Sequence, residues 1–133
     1  RAIVASAAMT LYTVGTIKEI PGVRTYVAVD GGMSDNPRPV LYGSGYEAFL
    51  PRAVDADRPL TARLVGKHCE SGDVLAFAAR VPSDLAVGDL LAMPVTGAYG
   101  LTFAMVAVNA TIATAVRSRL AGAERRVSLE TTD

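Results

Sequence analysis

Residues Val23 to Asp30, VRTYVAVD, put Val23, Thr25, Val27 and Val29 on one side of an extended chain and Arg24, Tyr26, Ala28 and Asp30 on the other. This period of two belongs to a strand with one buried face, and turn signals bracket it, Pro21-Gly22 before and Gly31-Gly32 after. The run before it, TLYTVGTIKEI over residues 10–20, is rich in β-branched residues and joins it through Pro21-Gly22, so the pair predicts a hairpin. Glu47 to Val54, Leu60 to Gly66, Val74 to Val81 and Leu90 to Val95 read as further strands, with Asp55 to Pro59 a turn. Short runs repeating roughly every 8–12 residues with turn chemistry between them predict an all-β fold, a small β-sandwich or Greek-key barrel. Between Gly31 and Gly45 the Asn36-Pro37 and Arg38-Pro39 steps argue against helix. One short helical turn is expected within Ile3 to Met9. The alanine-rich segment Ala104 to Ala123 favours helix by propensity, with enough Val and Thr to leave a strand open.

The chain has 133 residues, 50% hydrophobic and 20% charged, which suits one domain with a proper core. Thirteen basic residues balance thirteen acidic ones, and Arg117, Arg119, Arg125 and Arg126 read as a solvated face, so nucleic acid is not an expected partner. Leu101 to Val116, broken by Thr102, Asn109, Thr111 and Thr114, falls short of the roughly 20 apolar residues that span a bilayer. No membrane association is expected. A single cysteine leaves no internal disulfide and points to the cytoplasm. Arg1 in place of a starting Met suggests a piece of a longer chain.

Three stretches carry polar chemistry. The first is KHCESGD, Lys67 to Asp73, which holds the only histidine and the only cysteine. Zinc needs three or four ligands, and two adjacent ones on an extended strand point to opposite faces, so a metal site is not expected. The same geometry argues against a Cys-His catalytic pair. What stays open is a thiol acid or base beside Glu70, or a buried structural cysteine before a polar turn, the commoner fate of a free cysteine. The second stretch runs from Asp30 to Tyr42, DGGMSDNPRPVLY, where Arg38 stands between two prolines. A guanidinium on so stiff a backbone could grip a carboxylate or phosphate in a fork, or simply be solvated. The third is TGAYG, where Tyr99 stands among small residues, either at a pocket edge or half-buried in the core.

Taken in order, VDGGMSDNPRPVLYG, VGKHCESGD and TGAYG resemble the C-terminal part of the alanine-racemase-like, pyridoxal-phosphate-dependent decarboxylases, and the CESGD form is similar to their diaminopimelate branch. The resemblance covers roughly residues 1 to 105. It implies an enzyme converting meso-2,6-diaminopimelate to L-lysine and carbon dioxide, with its active site at a homodimer interface. It also implies a (β/α)8 barrel, absent here, that carries the lysine bound to pyridoxal 5'-phosphate. Residues 1–9 would then end that barrel, and Arg1 would close its Glu-Pro-Gly-Arg motif. By position Cys69 would be the proton donor, and Arg38, Tyr42 and Glu70 would bind the amino-acid substrate. Arg1 and Tyr99 would touch both substrate and cofactor. Without the barrel the chain is expected to be inactive alone. Two rivals remain: a decarboxylase of the same family acting on another basic or diamino acid, and a non-catalytic β-barrel interaction domain. Residues 105–133 form an atypical tail, and the resemblance breaks between about Met105 and Glu124, as a local sequence disruption such as a shifted reading frame would produce.

Overall fold

The computed structural model describes residues 3–98. They form five strands: β1 (Thr10–Ile20), β2 (Arg24–Val29), β3 (Leu60–Val65), β4 (Val74–Val81) and β5 (Leu90–Met93). These make one curled sheet in the order β4-β3-β2-β1-β5, so the all-β expectation holds. The hairpin is also borne out: β1 and β2 pair antiparallel from Ile20↔Arg24 to Val14↔Val29, with a register irregularity between Val14 and Thr16. An extra residue on one side of a ladder bends the strand that carries it. On its other edge, the first part of β1 pairs with β5, from Thr10↔Met93 to Thr13↔Leu90. One long strand therefore serves two neighbours along different parts of its length, and the sheet curls around it.

The alternation in β2 sets the inner face. Val27 and Val29 are buried with Tyr12 and Val14 of β1, Ala62 and Leu64 of β3, Leu75, Ala79 and Val81 of β4, and Leu91 and Met93 of β5. Beyond Val14 the strand β1 leaves this core, and Gly15 to Glu19 are exposed.

β2 and β3 pair in parallel, which the sequence does not announce. A parallel pair cannot be closed by a tight turn, and residues 30–59 supply the crossover. Two expectations fail within it. A short helix, α1 (Arg38–Tyr42), stands where Pro37 and Pro39 argued against one. The prolines fall at the N-cap and in the first turn, where a missing N–H forfeits no helical hydrogen bond and the fixed φ suits the helix. Gly43, at φ 60°, ends α1 in the left-handed conformation that glycine adopts freely, and its N–H bonds Pro39 O at 3.1 Å. Glu47 to Val54 is not a strand either. Phe49 makes one antiparallel bridge to Ala92, and Pro51, without an N–H, opens a 3-10 turn over Pro51–Ala53. At the other end of the chain, Ala5–Ala7 form the expected single helical turn, of 3-10 type. β5 stops at Met93, two residues short of expectation, because Pro94 cannot donate to the ladder. The segments 104–123 and 105–133 lie outside the described residues.

Candidate functional site

The polar chemistry gathers where two loops meet at one end of the sheet. The first leaves β2 at Asp30 and leads through Gly31 to Asn36 into α1; the second joins β3 to β4 and holds Lys67 to Asp73. Asp73, only 3% exposed, sits between them. Its Oδ1 accepts the N–H of Met33 at 2.6 Å in the first loop, and its Oδ2 accepts the N–H of His68 at 2.8 Å in the second. A further backbone bond runs from Lys67 N–H to Gly31 O at 2.9 Å. His68 Nε2 lies 2.9 Å from Ser34 Oγ and spans the same gap. Glycine is required on both sides of this carboxylate. A Cβ at Gly32 would stand 2.7 Å from Asp73 Oδ2, and one at Gly66 would overlap the carboxylate outright.

The second loop folds on itself with equal economy. Gly66 N–H bonds Asp73 O at 2.9 Å, Asp73 N–H bonds Glu70 O at 3.0 Å, and Glu70 N–H bonds His68 O at 2.8 Å. Cys69, between the last two partners, is thereby lifted to the apex and exposed. The reading of Cys69 as a buried structural cysteine is overturned, because the turn around it turns its side chain away from the core. Glu70 is exposed too, and its Oε1 meets Ser71 Oγ and Gly72 N–H only at 3.3 Å each. Contacts that long are weak and readily exchanged for a ligand.

The first loop is braced from within. Asp35 Oδ2 accepts Gly32 N–H at 2.8 Å, and buried Asn36 reaches Met93 Sδ at 3.5 Å. Asp30 accepts Thr13 N–H at 2.8 Å, and that bond holds its carboxyl below the ordinary range. Tyr12 packs under Gly31, where a Cβ would strike its ring. Burial, and then the Asp35 carboxylate, push the Tyr12 phenol well above its usual value, so it stays a neutral wall. Beyond this loop α1 lies against β4 and carries Arg38 and Tyr42, the guanidinium 5.3 Å from the ring centre. Arg38 Nε is buried and without a protein partner, whereas Tyr42 is exposed.

Of the residues singled out in the sequence, Cys69 and Glu70 thus stand on one of the two loops joined at Asp73, and Arg38 and Tyr42 on the helix α1 that follows the other. Among the described residues no hydrogen bond joins Arg38 or Tyr42 to Cys69 or Glu70. Arg1 and Tyr99 lie outside the described residues. The segments nearest to them in sequence meet, since Gly97 N–H bonds Ala5 O at 3.0 Å and Thr96 N–H bonds Ala8 O at 3.2 Å. Sequence reasoning missed Asp73 and Ser34 as organisers. The signal that could have found Asp73 was present: glycines at 31, 32 and 66, before one acid at the start of an apolar strand.

Residues 2–97 match the family model described as the pyridoxal-dependent decarboxylase, C-terminal sheet domain. The chain belongs to this family. It is 58% identical over 100 residues to the diaminopimelate decarboxylase of Actinosynnema pretiosum subsp. auranticum, covering 74% of this chain and 22% of that protein. The corresponding enzyme of Bacillus subtilis (strain 168) is 51% identical over 104 residues, covering 78% and 24%. Among solved structures, a diaminopimelate decarboxylase from M. jannaschi superposes with a TM-score of 0.68 at 32% identity, over 77% of this chain and 23% of that one. Another, from Helicobacter pylori and complexed with L-lysine, gives 0.63 at 31% identity over 74% and 23%. The chain therefore spans about a quarter of the length of the relatives it matches.

Proposed function

We propose that this chain is the C-terminal β-domain of a pyridoxal-phosphate-dependent carboxy-lyase that converts meso-2,6-diaminopimelate to L-lysine and carbon dioxide. In this reading residues 1–9 end a preceding (β/α)8 barrel, the enzyme is a cytoplasmic homodimer, and the domain offers its side chains to a site at the subunit interface. The observation that carries the proposal is the exposed Cys69-Glu70 pair at the apex of a braced loop. It occurs in the part of the chain that is 58% and 51% identical, over 100 and 104 residues, to two diaminopimelate decarboxylases.

The side chains suit an approach to a cofactor held elsewhere. Lys18 lies on the exposed part of β1 and Lys67 at the foot of the Cys69 loop, both exposed, so neither is enclosed as a cofactor lysine would be. Arg1 and Tyr99 are assigned to cofactor and substrate by position in the family motif. Pyridoxal phosphate, when bound, takes up the electron pair left as carbon dioxide departs. Cys69 holds a proton on Sγ and delivers it to the carbon that lost the carboxylate, as a positioned general acid. The substrate's far end bears an ammonium and a carboxylate. Glu70 accepts from the first. Arg38, with its Nε unpaired, donates to the second, and Tyr42 stands beside Arg38 to complete that contact. A substrate lacking the far carboxylate would leave Arg38 desolvated and unsatisfied, which sets the preference for a diamino diacid over a simple basic amino acid.

In the full-length enzyme, Cys69→Ala is expected to lower carbon dioxide release by about a hundredfold or more. Turnover equal to the parent would remove Cys69 from the reaction.

A further inference from the structure

The Cys69 apex is exposed, and the hydrogen bonds that hold its loop lie at the base. We infer that Asp73 is a positioning residue for the reaction, fixing where the Cys69 thiol stands relative to the loop that leads to Arg38. The inference rests on the reading of Cys69 as the proton donor.

Four observations converge on this role. The Asp73 carboxylate is nearly fully buried, and among the described residues no cation pairs with it. Both of its oxygens are spent on backbone N–H groups, one from each loop, at 2.6 and 2.8 Å. A carboxylate taken out of water survives only with such partners, so the two loops and the acid stabilise one another. Glycines at 32 and 66 clear the space it occupies. Finally, its own N–H and C=O close the Cys69 loop onto Glu70 and Gly66. One residue thus sets the loop's internal turn and its attachment to the neighbouring loop. The His68–Ser34 contact is a second tether across the same gap, nearer the surface.

Neither Asp73 nor His68 needs to touch the substrate. A thiol displaced by about an ångström loses its line to the reacting carbon, and errors of that size from distant changes can cost about a hundredfold. The isosteric Asp73→Asn change keeps the volume but sets an amide N–H₂ against one of the two backbone donors.

The test uses the full-length enzyme in five forms beside the parent: Asp73→Asn, Ser34→Ala, Cys69→Ala and the two double variants Cys69→Ala/Asp73→Asn and Cys69→Ala/Ser34→Ala. Asp73→Asn is expected to lower kcat about tenfold or more while KM stays within about threefold, with cofactor absorbance unchanged. In the Cys69→Ala background the same change should cost less than about twofold, because the group it positions is already gone. A purely structural role would lower the melting temperature, leave kcat per folded site at the parent's value, and overturn the inference. A loss that persists undiminished without Cys69 would also overturn it. Cys69→Ala at parental turnover would refute the proton-donor reading and this inference together, and so is distinguishable from failure of Asp73 alone. If Asp73→Asn does not fold, Ser34→Ala decides: a threefold or greater loss of kcat that vanishes without Cys69 supports the inference, and parental kcat overturns it.

Discussion

A glycine's worth depends on what stands where its side chain would be. Gly66 faces the Asp73 carboxylate with no room for a methyl group, whereas Gly45 has no atom within 4 Å of that position. Gly66→Ala should destabilise the full-length enzyme by about 1–3 kcal/mol, the usual range for overpacking. Gly45→Ala should be neutral or gain up to about 1 kcal/mol by restricting the unfolded chain. Denaturant midpoints of the two variants measure the contrast, and similar values would contradict it. Glu70 belongs to this scale as well. Its weak contacts cost little to break, so Glu70→Gln should leave the melting temperature within about a degree yet raise KM about tenfold or more, by loss of a charge-assisted hydrogen bond. Steady-state kinetics at saturating cofactor would show it. At single residues the sequence was legible for chemistry and blind to support. Cys69, Glu70 and Arg38 announce themselves by type, but Asp73 works through backbone N–H groups that no residue name reveals.

Among the elements, Arg52 clasps two that are distant in sequence. From the 3-10 turn Pro51–Ala53 its guanidinium reaches Asp89 Oδ1 and Oδ2 at 2.8 Å each, and Asp84 Oδ2 at 2.9 Å, in the loop before β5. The hydrogen bonds from Arg52, then that from Ala86 N–H, lower the Asp89 carboxyl from 3.8 to about 2. A carboxyl depressed on folding adds stability that is present above its unfolded value and is lost as pH falls through its folded value. The parent's melting temperature should therefore drop more steeply than that of Arg52→Met between pH of about 4 and about 2. Equal slopes in differential scanning would show the clasp to be idle. Elements with clear local signals were readable: β2 falls where its alternation puts it, and β1 and β4 where β-branched or apolar runs between turn residues put them. Those that departed did so at proline, where the same missing N–H that forbids a helix interior is harmless in a first turn, as at Pro37 and Pro39. It also ends pairing, as at Pro51 and Pro94. Parallel pairing of β2 with β3 was unreadable because it is a relation between strands, not a property of either.

At the scale of the whole molecule, the first and last of the described segments lie side by side. Ala5 and Ala8 accept backbone bonds from Gly97 and Thr96, and a Cβ on Gly97 would meet Ala8 N at 3.0 Å. Gly97→Val should pry the two segments apart and lower the melting temperature of the full-length enzyme by several degrees. An unchanged melting temperature would mean that the junction is not held there.

The division of β1 between two partners also fixes an order of events during synthesis. The β1–β2 hairpin can close once Val29 is made, but Thr10 to Thr13 must wait about eighty residues for Leu90 to Met93. Until then a newborn chain carries an open, partly apolar strand edge, the kind of surface on which neighbouring chains add to one another. A chain ending at Asp89 is expected to collect in the insoluble fraction; recovery equal to that of the 133-residue chain would contradict this. β5 is then less a late ornament of the sheet than the cover for that stretch of β1, with Phe49 bridging its own far side at Ala92.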